Sequence, residues 1–186
     1  MSTPGSAFSL AQLQASVWAR DGGRVHAVID GSLVPGLPAR LQEADTMGWD
    51  CLQRGALSPE GAAQAAYIVE LVRESPFTTW LLTEAAQSFA GWGVLALSTR
   101  PLLAMREWSR DLAEVRLPDG RRRPWRWWDH GLLDTLLPTL QPGQVDAFFA
   151  HDVQVVAIQA ERWVWWQRLA GVVDRQSRDV LRPAAT

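Results

Sequence analysis

The chain has 186 residues, 47% of them hydrophobic and 20% charged, and a formal net charge of −2. That length favours one domain over residues 1–186, with a core large enough to need no disulfide staples. A balance so close to neutral argues against a nucleic-acid-binding domain, which is basic overall or along one face.

In chain order, Ser9 is placed to cap a helix that carries Leu10, Leu13 and Val17 at helical spacing and stops at Gly22-Gly23. "RVHAVIDG" alternates, with Val25, Ala27 and Ile29 on one face, and reads as a strand ended by the turn pair Asp30-Gly31. A short helix over "VPGLPARLQEAD", with Leu37 and Leu41 inward, leads to a second strand at "GWDCLQRG". Ser58 and Pro59 open another helix, after which "YIVELV" has strand character. "SPFTTWLLTEAAQ" repeats the Ser-Pro start and lays Phe77, Trp80, Leu81 and Ala85 along one stripe. "GWGVLALST" is apolar on both faces, as a central strand is. The long helix "RPLLAMREWSRDLAEV" puts Leu102, Met105, Trp108 and Leu112 on one side.

"VRLPDGRRRPWRWWD" is the clearest hairpin, with Asp119-Gly120 as its turn. Pro124 assigns the return arm to an edge or a bulge. "HGLLDTLLPTL" follows as a helix capped by Asp129 and ended by Pro138, then a short helix at "QPGQVDAFFAH". "VQVVAIQAERWVWWQRL" reads as two strands around a turn near Ala160-Glu161, a C-terminal β-hairpin. From Gly171 onward the tail is polar and Arg-rich and is expected to fray. This order predicts an α/β or α+β fold with a mixed sheet of several short strands flanked by helices.

Much chemistry is missing. The chain has no lysine, which removes the phosphate loop of nucleotide hydrolases, and no dinucleotide fingerprint or nucleophile elbow occurs. His26, His130 and His151 lack metal-ligand spacing, and the single Cys51 excludes an intrachain disulfide or a thiolate cluster. No cofactor, metal or small-molecule substrate is therefore expected. An acid/base hydrolase would have to use Asp30 and Asp129 with a histidine; a turn role for Asp30 and a cap role for Asp129 are the simpler readings. A nucleic-acid binder would use Arg121–Arg123 with the neighbouring tryptophans, but acids crowd that run at Asp111, Glu114, Asp119 and Asp129. No apolar stretch is long enough to span a membrane and the first residues do not form a signal peptide, so a cytoplasmic location is expected.

The eleven tryptophans are the unusual feature. Trp49, Trp80 and Trp92 are expected in the core. In a strand, Trp125 and Trp127 share one face while Arg126 and Trp128 take the other; likewise Trp163 and Trp165 oppose Trp166. Tryptophan and arginine dominate binding hot spots, so Trp125, Arg126, Trp127, Trp128, Trp163 and Trp165 are the candidate partner-binding residues.

Several segments together resemble a known family. "HAVIDGSLVPGLPARL", "CLQRG", "YIVEL", "SPFTTWLL", "GVLALSTRPLLAMREWSRDLAEVRLPDGRRRPWRWWD" and "LLPTLQPGQVDAFF" match in order and spacing the adaptor chaperones of bacterial type VI secretion, the Tap/Tec proteins. The resemblance covers about residues 24–168 and leaves the tail, 171–186, unassigned. Family members often follow the acid of the Arg-aromatic-aromatic-Asp motif with Pro-Arg, whereas this chain has His130-Gly131, so Asp129 must be satisfied in another way. The resemblance implies a non-enzymatic adaptor that binds the N-terminal region of a cognate secreted toxin effector, keeps it soluble and helps load it onto the VgrG spike.

Overall fold

A computed structural model describes residues 7–116 and 119–181, apart from the Arg116 side chain. Helix α1 (Leu10–Val17) starts at Ser9, whose side chain accepts from the Gln12 backbone while Gln12 reaches back, a reciprocal capping box. Strand β1 (Arg24–Asp30) follows, then α2 (Leu37–Glu43), β2 (Thr46–Cys51), α3 (Pro59–Gln64) and β3 (Ala66–Leu71). The "SPFTTWLLTEAAQ" helix comprises α4 (Pro76–Trp80), a π-helical turn (Leu81–Ala85) and α5 (Ala86–Ser88). Next come β4 (Gly93–Ser98), α6 (Leu102–Leu112), the ribbon β5 (Glu114–Arg116) and β6 (Arg122–Pro124), α7 (His130–Leu136), and α8 (Pro142–Phe148). Strands β7 (Gln154–Ile158), β8 (Arg162–Leu169) and β9 (Val172–Asp179) close the described chain.

The fold class is α+β. Seven strands form one sheet in the order β2-β3-β1-β4-β7-β8-β9, and β5-β6 form a separate ribbon. Strand β4 is the middle strand and every residue in it is buried. Alternating strands and helices suggested mixed directions, yet every pairing within the sheet is antiparallel. Strand order accounts for this. Strands β1 and β2, joined through α2, run parallel with β3 between them, and β3 and β4, joined through α4 and α5, run parallel with β1 between them, so each of these helical crossovers skips a strand and direct neighbours run opposite.

Strand alternation sorts the interior into two cores. Val25, Ala27, Ile29, Trp92, Trp163 and Trp165 lie in one, with α1, α2, α4 and α5 supplying the cover. Val28, Ile68, Val94, Ala96, Val164 and Trp166 face the other, beneath Met105 and Trp108 of α6, Leu133 of α7 and Phe148 of α8. The expected hairpin around Ala160-Glu161 is β7-β8. The tail departs from expectation: β9 pairs with β8 from Leu169↔Val172 to Arg162↔Asp179. Its turn residues Ala170 and Gly171 both have positive φ, as a two-residue hairpin loop requires. Polarity misled here because β9 is an edge strand, whose exposed side chains are charged to repel further pairing. Residues 182–186 of the tail, and Leu117 and Pro118 of the expected Leu-Pro-Asp-Gly turn, lie outside the described residues.

The other edge, β2, is also guarded. A bulge lies between Thr46 and Gly48, and the Cys51 N–H donates to Asp50 Oδ1 at 2.7 Å. Its carbonyl accepts from Arg110 Nη2 at 2.7 Å. Arg110 Nε also donates to the Leu52 carbonyl at 3.1 Å, which fastens the end of β2 to α6.

Candidate functional site

Strand β6 stops at Pro124, which has no N–H to extend a ladder. One more ladder bond follows before the chain leaves the ribbon. Trp125 N–H donates to the Ala113 carbonyl at the end of α6, 2.8 Å away, and Trp127-Trp128 form a turn into α7. The strand geometry expected for Trp125–Trp128 is therefore absent, and with it the alternation of faces. Trp127 is fully buried, edge-on to Trp108 with ring centroids 4.8 Å apart, and its Nε1 donates to Ser109 O and Oγ, both at 3.1 Å. Trp128 enters the same core.

Asp30 fastens this arm to β1. It is 3% exposed, and its Oδ2 accepts from Trp128 Nε1 at 2.8 Å and pairs with Arg126 Nη2, partners about a hundred residues away in sequence. Its Oδ1 accepts from the Ser32 N–H at 2.9 Å and the Ser32 hydroxyl at 2.5 Å. The turn reading of Asp30-Gly31 thus holds, but Asp30 is also the anchor of the tryptophan arm. Gly31 is required by proximity, since a Cβ there would come 2.4 Å from the Ala65 carbonyl oxygen.

Between the arm, the end of α6, the Leu52–Arg54 segment and the start of β3 lies a cleft of 550 Å³. Trp125, Trp128, Leu52, Ala65, Ala66 and Ala113 supply apolar wall, and Arg54, Arg110, Arg126, Asp30 and Glu114 supply charge. A second hollow of 410 Å³ continues along α6 to Val115 and Arg122, sharing Arg54, Arg110 and Glu114 with the first.

Of the expected partner-binding residues, Trp125, Arg126 and Trp128 line this cleft. Trp127, Trp163 and Trp165 sit in the cores at 0%, 1% and 5% exposure, so their surfaces are spent inside the fold. Trp163 and Trp165 do share a face opposite Trp166. Trp92 is buried as expected, but Trp80 is half-buried under the Arg40 guanidinium at 3.9 Å. Trp49 corrects expectation at 36% exposure, because β2 is an edge strand, with Tyr67 of β3 as its aromatic neighbour on the inner side. The lining from Leu52, Arg54, Ala65 and Arg110 was not foreseen; "CLQRG" marks the first two, but no local signal says that α6 ends beside them.

The other motif residues are structural. Asp129 caps α7, accepting from the Gly131 and Leu132 N–H groups at 2.9 and 3.1 Å, which satisfies it without the family's Pro-Arg. Asp119-Gly120 forms the ribbon turn, with Gly120 at φ +81 and Asp119 bound to the Arg121 side chain at 2.6 Å. Arg122 pairs with Glu114 at 3.2 Å. Among the described residues no hydrogen bond joins Asp30 or Asp129 to a histidine. His26 lies on β1 four residues from Asp30, roughly 13 Å away. Burial holds its imidazole below the ordinary value, against the pull of Glu70 Oε2 at 3.6 Å. Burial likewise pushes the Cys51 thiol up, away from the thiolate a nucleophile needs. Among the described residues, no group of three or more His, Cys, Asp or Glu is placed to hold a metal, and no helix is long and apolar enough to cross a membrane.

A family model, described as a domain of unknown function and designated DUF4123, matches residues 25–147. The chain belongs to the DUF4123 family. The match begins in β1 and ends in α8, so the DUF4123 region holds Asp30, α6 and the whole tryptophan arm, while β7, β8 and β9 lie beyond it. No curated protein and no solved structure matches the chain.

Proposed function

We propose that this chain is a non-enzymatic adaptor chaperone of type VI secretion, acting in the cytoplasm. It binds the N-terminal region of a cognate toxin effector, keeps it soluble and helps load it onto the VgrG spike. The observation that carries this reading is membership of the DUF4123 family over residues 25–147, a family associated with type VI adaptor proteins, together with the ordered motifs that resemble the Tap/Tec adaptors. The cleft fits the task. It combines an aromatic wall with a polar rim, the composition of a surface that holds an apolar segment by exclusion of water and releases it on handover.

The test is co-purification of the full chain with the toxin encoded beside its gene, and with the spike protein. The expected result is a complex that raises the soluble yield of the toxin, weakened by Trp125→Ala. A chain that neither binds nor solubilises toxin or spike would sink the proposal.

A further inference from the structure

The cleft is polarised by which of its charged groups are already engaged. Both of its acids have partners: Asp30 takes Arg126, Trp128 and Ser32, and Glu114 takes Arg122. Arg110 is committed as well, with Nε and Nη2 on backbone carbonyls and Nη1 on Glu107 at 3.1 Å. Arg54 and Arg126 differ. The Arg54 side chain is 66% exposed and, among the described residues, its one ion pair is with Glu107, at 3.3 Å through Nη2. The Arg126 side chain is 49% exposed and, among the described residues, engages through Nη2 alone, on Asp30. Glu107 is itself shared with Arg106 and Arg110, so one carboxylate serves three guanidinium groups. Gln53 and Gln64 add neutral amides to the lining, and the charged capacity left open in this cleft consists of guanidinium N–H donors, beside a wall formed by Trp125 and Trp128.

From this we infer that the cleft takes a protein segment in which an apolar or aromatic side chain is flanked by a carboxylate. The apolar group lies against Trp125 and Trp128, and the carboxylate on Arg126 and Arg54, whose planar forks suit it. This rests on the adaptor reading and specifies the chemistry of the effector segment. A carboxylate at the rim adds to the encounter rate and to selectivity, and the apolar group supplies the buried area.

The experiment is calorimetric titration of the full chain with the toxin encoded beside it, at low and high salt. Arg54→Glu is expected to weaken binding by about tenfold or more, and Trp125→Ala to weaken it at both salt concentrations. Added salt should weaken the wild-type complex more than the Arg54→Glu complex. Arg126→Gln removes the second donor; because it also breaks the Asp30 pair, Arg54→Glu remains the cleaner variant, and thermal melts confirm that both are folded. If the toxin binds and Arg54→Glu leaves its affinity and salt dependence unchanged, the acidic-segment inference is wrong while the adaptor reading stands. A toxin that does not bind at all overturns both. Displacement of bound toxin by a single-stranded oligothymidylate would overturn the inference by assigning the guanidinium groups to phosphate.

Discussion

Two stretches of this chain are spelled almost alike, Trp125-Arg126-Trp127-Trp128 and Trp163-Val164-Trp165-Trp166, and the fold treats them differently. The second sits in β8, paired with β7 on one side and β9 on the other, so its side chains alternate strictly between the two cores. The first follows Pro124 at the end of a two-stranded ribbon, and its last two tryptophans enter the same core. A side chain's face can be read from sequence only where a ladder on both sides fixes the backbone. Without that ladder, distant contacts decide: Asp30 captures Arg126 and Trp128, and Ser109 captures Trp127.

The largest effects should come from a fully buried tryptophan of each stretch. Trp163→Ala and Trp127→Ala are each expected to cost about 3–5 kcal/mol, by the usual cost of emptying an aromatic site in a core. Urea unfolding followed by circular dichroism measures both. Parity would mean that the irregular arm is packed as firmly as the central sheet; a cost below about 1 kcal/mol for Trp127→Ala would show a loosely docked arm.

Asp30→Ala addresses the fastening directly. It strands the Trp128 indole N–H in the core and frees Arg126, but half of the Arg126 side chain is already in water, so the ion pair adds little. The expected loss is about 2 kcal/mol, most of it from the orphaned indole N–H and the lost Ser32 turn. Asp30→Asn should recover part of it, since an amide oxygen can still accept from Trp128. Equal losses for the two variants would show that charge, and not hydrogen bonding, holds the arm.

Much of the framework was legible. Helix starts at Ser9, Ser58 and Ser75, the central β4 and the Asp129 cap all follow from local chemistry and appear as expected. The antiparallel pairing of the sheet was not legible, because the helical crossovers join parallel strands that are not neighbours, and which strand slots between them is set in space rather than by local pattern. Nor was β9, whose charged edge looks like a frayed tail. Of the cleft, the sequence marked Trp125, Arg126 and Trp128 but placed them on a strand. The opposing wall at Leu52, Arg54 and Arg110 depends on where β2 and α6 end in space, which no local pattern encodes.

Strand β1 carries a second buried polar residue, His26, at the end away from Asp30, and it gives a smaller and pH-dependent effect. His26 is fully buried beside Glu70, which Arg24 Nη1 holds at 2.6 Å. Its pKa in the fold lies below the unfolded value of about 6.5. Above that pH both states are neutral at this site and stability is at its full value. Below it the unfolded chain binds a proton that the folded chain resists, so stability falls by up to about 1.4 kcal/mol per pH unit until the folded imidazole also titrates. Urea midpoints should drop between pH 7 and pH 5 in the wild type, and His26→Gln should flatten that portion of the curve. An unchanged slope in the variant would assign the pH dependence to the carboxylates.

The smallest stability effect is expected at Trp125, and it separates the two W-x-W-W stretches most clearly. Trp125 is half-buried against the second core, and among the described residues its backbone N–H, bonded to Ala113, is its one hydrogen-bonded group. Trp125→Ala keeps that bond and removes a ring that already faces the cleft, so the cost should stay near or below about 1 kcal/mol, well under that of a core tryptophan. A tryptophan that contributes so little to the fold is free to contribute to a partner. Unfolding and toxin binding measured on the same variant test that division. Near-native stability with clearly weakened binding would place Trp125 among the contact residues of the cleft. A loss as large as that of Trp127→Ala, or undiminished binding, would return it to the core with the rest of its run.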